Sequence, residues 1–171
     1  MRPAARKGLH MFGAIAVACA AAAPARAVTP TATVSATIIR PVTLTWVQDL
    51  DLGTITLGPG TWSGATVAIS KTGAFTCTNA HVTCTGATKV AQYNVVGTNK
   101  QVITINAPNV TLTNQSDPTQ TLTMIVDNPG SVTLANSGQP GSTFSLGGSI
   151  TLNSTTAGGV YTGTFNVTVN Y

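Results

Sequence analysis

The sequence predicts an all-β fold, an immunoglobulin-like antiparallel sandwich, and three observations lead there. Glutamate is absent from the 171 residues, and threonine dominates the chain beyond residue 27, so strong helix formers are scarce where β-branched side chains are plentiful. Short apolar or alternating runs recur, with glycine, proline, asparagine and aspartate clusters between them. The last eleven residues alternate without a break: Tyr161, Gly163, Phe165, Val167, Val169 and Tyr171 fall on one face, and threonines and asparagines on the other. A side-chain period of two is the signature of a strand with one buried face.

In chain order, residues 1–27 read as a cleaved signal peptide. Arg2, Arg6 and Lys7 form a basic start, an alanine-rich apolar stretch follows, and Ala25-Arg26-Ala27 is a small-x-small cleavage site. That pattern implies export through the Sec pathway to the periplasm, cell surface or medium. A lipoprotein cut before Cys19 is the alternative, but Ala16 stands where the leucine of such a site is expected. Removal of residues 1–27 leaves a single domain, residues 28–171, with four cations (Arg40, Lys71, Lys89, Lys100) against four aspartates (Asp49, Asp51, Asp117, Asp127). The basic balance therefore belongs to the leader, and the remaining chain has no basic patch to grip a nucleic acid. No later apolar run reaches the ~20 residues of a membrane-spanning helix.

Residues 28–38 come next, with Val28, Pro30, Ala32, Val34, Ala36 and Ile38 apolar and every intervening residue threonine or serine. This is the pattern of a donor-strand arm, an extended segment that fills a groove in a neighbouring subunit. It equally fits the first strand of the chain's own sandwich, with Pro30 at an edge. Strand-like runs follow at 34–39, 42–47, 66–70, 93–96, 101–106, 110–113, 122–127, 131–134, 144–152 and 160–170. The inward-facing set read from them is Leu44, Trp46, Val67, Ile69, Ile103, Ile105, Leu122, Met124, Val126, Ile150, Leu152, Phe165, Val167 and Val169.

Cys77 and Cys84 are the two cysteines left after the leader, and in an exported chain they predict one disulfide closing a short loop. His81 inside that loop reads as an exposed loop residue, and Asp49 and Asp51 as turn formers rather than part of a calcium site, which needs ~6–8 oxygens. With one histidine and no glutamate beyond the leader, few groups can move protons near neutral pH, so no catalytic residue, cofactor or metal ligand is assigned and an enzyme is not expected. The aromatic-ended terminal strand also fits an outer-membrane-barrel insertion signal, but the short, proline-interrupted runs and few aromatics do not supply that fold's ~9–11-residue strands and girdles.

The stretches Ala36-Thr-Ile-Ile-Arg-Pro-Val-Thr-Leu44, Asp49-Leu-Asp-Leu-Gly-Thr-Ile55 and Leu146-Gly-Gly-Ser-Ile-Thr-Leu152, with the terminal strand after Gly158-Gly159, resemble the bacterial family known as domain of unknown function 4402. That family is similar to spore-coat-U-like and fimbrial subunits. The resemblance implies an exported pilin-like sandwich of a Gram-negative bacterium. Leu52 stands where the family signature has phenylalanine, and Tyr171 is last where such subunits place their aromatic residue next to last.

The expected function is thus a non-enzymatic, fimbria-like structural or surface protein that assembles by β-strand addition. The arm would pair with another copy or another fimbrial subunit, while the terminal strand (Tyr161, Phe165, Val167, Val169, Tyr171) lines the receiving groove or is held by a periplasmic chaperone. The alternative is a monomeric binding module for a glycan or protein ligand, with Trp62 in the 58–64 turn as its ligand contact.

Overall fold

The computed structural model describes residues 29–171, and every regular element among them is a β-strand. Residues 1–27, read above as a signal peptide and including Cys19, and Val28 lie outside the described residues. The stretch up to Ala36 forms one unit and Thr37–Tyr171 another. In the first, residues 29–36 take no secondary structure and are exposed, Val34 at 92%. The strand expected over 34–39 is therefore absent: no neighbouring edge pairs with it among the described residues, and the chain joins its first strand only beyond Pro41, which has no N–H to give a ladder.

The second unit is built on one large antiparallel sheet. Its spatial order is β1 (Thr43–Gln48), β6 (Ala91–Val96), β11 (Ser142–Leu152), β9 (Thr121–Asp127), β8 (Val110–Asn114) and β12 (Tyr161–Thr162). The long β11 changes partners halfway. Ser142–Leu146 pair with β6, while the second half pairs with β9 and with β3 (Ala65–Ile69), which in turn carries β4 (Phe75–Thr76). Gly147 marks the changeover, because a Cβ there would collide with the backbone of Ile69, Ser70 and Lys71.

Two small sheets face the large one. The first is β10 (Ser131–Thr133), β7 (Val102–Asn106), β13 (Thr168–Asn170) in that order, and the second is β2 (Thr54–Leu57) with β5 (Val82–Thr85). Alternation in β7 sends Ile103 and Ile105 inward against Val95, Phe144 and Leu146. Across the other half, Val82 of β5 meets Val67, Val110, Met124, Ile150 and Leu152. The core thus has two centres, one beneath each small sheet, and half-buried Leu50, Val126 and Phe165 pack against both.

β2 and β5 are four residues each and do not stand out in the sequence. Cys77, just past β4, is bonded to Cys84 on β5, so the expected disulfide staples the β3–β4 flank of the large sheet to the β2–β5 pair. The terminal run over 160–170 keeps its alternation, with Tyr161, Phe165, Val167 and Val169 half-buried and the residues between them exposed. It is not one strand, however. β12 pairs with β8 in the large sheet, β13 pairs with β7 in the facing layer, and residues 163–167, which cross between layers, belong to no ladder.

The predicted inward set holds in part. Val67, Ile69, Ile103, Ile105, Met124, Ile150 and Leu152 are buried, whereas Leu44, Leu122, Val126, Phe165, Val167 and Val169 are half-buried. Trp46 is 59% exposed although its strand register puts it beside inward-facing Tyr93.

Candidate functional site

Between the two small sheets the facing layer is open. The opening is a cleft of about 890 Å³ whose floor is the inner face of the large sheet, at Leu112, Leu122, Met124, Ile150 and Leu152. One wall is the segment 49–57, running from Asp49 into β2, and the other is the segment 156–165. Both walls present strand edges without a ladder partner among the described residues: β2 pairs only with β5, and residues 163–165 pair with nothing. The cleft thus joins an apolar floor to two strand edges whose N–H and C=O groups are open to pairing.

The first wall is shaped by a turn. Asp51 Oδ1 accepts the Gly53 N–H at 2.8 Å, and Gly53 has φ +74°, a conformation natural to glycine, with the Thr85 carbonyl crowding the space a Cβ would need. Asp51 and Lys89 also exchange backbone hydrogen bonds of 2.8 and 2.9 Å, which hold the wall against the connection that leads into β6. Ile55 and Leu57 then turn inward by period-two alternation. Of the two aspartates read as turn formers, Asp51 forms this turn, while Asp49 accepts the Trp46 indole N–H at 3.0 Å.

At the near end of the cleft stand Trp46 and Tyr93, directly opposite each other on β1 and β6, and Tyr93 stacks on Phe144 at 5.5 Å. Burial raises the Tyr93 pKa above its ordinary value, and the Asp49 carboxylate adds to the rise, so the phenol stays neutral at physiological pH.

Of the terminal-strand residues, Tyr161 and Phe165 line the cleft, whereas Val167 and Val169 pack against the core centre that holds Ile103 and Ile105 of β7. Tyr171 lies elsewhere: its hydroxyl accepts the Thr98 N–H at 2.6 Å and donates to the Arg40 carbonyl at 2.7 Å. The Arg40 N–H in turn bonds Thr98 Oγ1 at 2.7 Å. The C-terminal residue is therefore a clasp at the start of β1. Among the arm residues, Pro30, Ala32, Val34, Ala36 and Ile38 are all exposed, Ile38 at 85%.

Trp62 is not a surface contact. It is 8% exposed, stacked on His81 at 5.5 Å and 6° between planes, and its indole N–H donates to the Gly58 carbonyl at 3.1 Å. The glycine-rich 58–64 turn suggests exposure, but Ser154 on the far side of the chain draws the segment inward, its N–H donating to the Trp62 carbonyl at 3.0 Å. The residues that sequence reasoning overlooked include the cleft leucines Leu50 and Leu57, whose only sequence signal is alternation in stretches too short to stand out, and Leu112, whose run over 110–113 reads as a strand but which the inward set omits.

Fold and cleft together define an antiparallel β-sandwich whose facing layer is split in two. The chain belongs to the family described as Domain of unknown function (DUF4402), whose profile matches residues 42–171, the sandwich from just before β1 to the C-terminus. No curated protein and no solved structure matches it significantly.

Proposed function

We propose that this chain is an exported, non-enzymatic, fimbria-like structural subunit that assembles by strand addition. The observation that carries the reading is the split facing layer, an apolar-floored cleft between two unpaired strand edges. A strand laid in it would hydrogen-bond to β2 on one side and to residues 163–165 on the other, joining the two small sheets into one layer. The occupant with matching chemistry is the 28–38 arm of another copy. Its alternate small apolar residues would face the leucine floor while its threonines and serines face water. Main-chain bonds supply affinity and the apolar alternation supplies register. Before assembly, a periplasmic chaperone offering a similar strand would fill the same cleft.

The test compares residues 28–171, exported to a periplasm and purified without denaturant, with the same chain lacking residues 28–37, by size-exclusion chromatography with light scattering. The expected result is ladders or filaments from the full-length form alone, with the truncated form a folded monomer. Compact, equally stable monomers from both would sink the reading, because the cleft would then be complete without a donor.

A further inference from the structure

We propose that a polar hollow beside Trp46, which shares Trp46, Asp49, Leu50 and Asp51 with the near end of the cleft, is a binding site for a neutral sugar. The hollow, about 400 Å³, is lined by Trp46, Val47, Gln48, Asp49, Leu50, Asp51 and Lys89, within the size range of small-ligand sites. Three features of the local structure build it. The β1–β6 register shifts between Trp46 and Gln48, and a bulge of this kind re-aims side chains at a strand end. The indole is fixed in place, its N–H donating to Asp49 Oδ1 at 3.0 Å, yet the residue is 59% exposed. A rigid aromatic face open to water is costly to leave unused and stacks on the apolar face of a pyranose ring with little entropy to lose.

The polar groups match hydroxyls rather than ions. Asp49 and Asp51 are acceptors and Lys89 is a donor, and none of the three is in an ion pair among the described residues. The two aspartates spend part of their capacity on the fold: one Asp49 oxygen on the indole and one Asp51 oxygen on the Gly53 N–H. The remaining oxygens and the ammonium are free to bond ring hydroxyls. Two carboxylates against one ammonium disfavour an anionic ligand, which separates a neutral hexose from a uronic acid. Gln48 is held by donating to the Val90 carbonyl at 2.8 Å, so the hollow is formed before a ligand arrives.

The experiment titrates residues 28–171 with methyl glycosides of glucose, galactose, mannose and N-acetylglucosamine and with methyl glucuronide, read by saturation-transfer NMR and calorimetry. Trp46→Ala, Trp46→Phe, Asp49→Asn and Trp62→Phe chains are run beside it. At least one neutral glycoside is expected to bind in the millimolar range, with affinity lost by about tenfold or more in Trp46→Ala, partly kept in Trp46→Phe, weakened in Asp49→Asn and unchanged in Trp62→Phe. The glucuronide is expected to bind more weakly than its neutral counterpart. Silence from every neutral glycoside, or binding that survives Trp46→Ala, overturns the proposal. Neither result touches the assembly test, which reads particle size and not sugar.

Discussion

Replacing each tryptophan in turn with alanine separates a structural ring from a surface ring, and the structure fixes the expected sizes. Trp62 is 8% exposed, and a buried tryptophan removes ~200 Å² from water, about 5 kcal/mol at ~25 cal/mol/Å². That figure is an upper estimate because real unfolded chains already cover part of the ring. Losing the 3.1 Å indole bond to Gly58 and the stack on His81 adds to it, and buried Trp→Ala changes cost ~3–5 kcal/mol in general. We expect about 4 kcal/mol for Trp62→Ala, a large share of the ~5–15 kcal/mol that holds an ordinary domain together. Trp46, 59% exposed with its indole bond open to solvent, should cost about 1 kcal/mol by the same arithmetic, after discounting the upper bound. Urea unfolding followed by far-UV circular dichroism reads both. With m near ~2 kcal/mol/M, the midpoint should fall by about 2 M for Trp62→Ala and by about 0.5 M for Trp46→Ala. Equal midpoint shifts, or a Trp62→Ala loss under about 2 kcal/mol, would refute the assignment of Trp62 to the core.

Tyr171→Phe removes a hydroxyl that bridges Thr98 and Arg40. At ~0.5–1.5 kcal/mol per bond, and with water able to replace part of each, thermal unfolding should show a loss of about 1–2 kcal/mol. Opening the Cys77–Cys84 loop, with its sequence separation of 7, costs about 2.4 kcal/mol on the chain-entropy estimate, so a Cys77→Ser/Cys84→Ser chain should unfold at lower urea than the oxidised parent. Asp127 accepts both the backbone N–H and the ammonium of Lys71 at 2.8 Å, which holds its pKa below the ordinary carboxylate value. A depressed carboxyl stabilises the fold above its unfolded pKa of ~3.9 and loses that contribution as pH falls through the folded value. Because both side chains are more than a third exposed, the Asp127→Asn penalty should be only about 0.5 kcal/mol at pH 7. It should fade as pH falls through the lowered folded pKa, and a penalty independent of pH would contradict the assignment.

What the sequence made legible follows from how local each signal is. Val67 and Ile69, Met124, and Ile150 and Leu152 lie in alternating runs long enough to declare a buried face, and all five are buried. The cysteine pair declared itself because two cysteines are left beyond residue 27, in a chain expected to be exported. The split of the terminal run into β12 and β13 was not legible, because alternation records which way side chains point and not which strand lies alongside. Gly163 to Val167 keep the period while leaving one sheet for another. Trp62 was misplaced because its turn composition is local while its cover, His81 and Ser154, lies 19 and 92 residues away. Trp46 failed in the opposite direction: its pattern points inward correctly, but nothing in the facing layer reaches over it.

That missing cover bears on how the protein's stability should behave. Leu50, Leu52, Ile55, Leu57, Leu112, Leu122 and Phe165 pack against the core yet remain only half-buried along the cleft, so the free sandwich leaves unused a good part of the stabilisation its own leucines can supply. A strand added to the cleft binds the folded chain and not the unfolded one, and stabilises it by RT ln(1 + [L]/Kd), which is about 2.7 kcal/mol at a hundredfold excess over Kd. A synthetic peptide of the arm sequence, residues 28–38, should therefore raise the melting temperature of the chain lacking residues 28–37 as its concentration increases. A scrambled peptide that breaks the apolar alternation should not. The slope has a second use, since a cleft filled only by non-specific apolar contact would respond to both peptides alike. Stabilisation by the ordered sequence alone requires the register that the unpaired edges of β2 and residues 163–165 would impose.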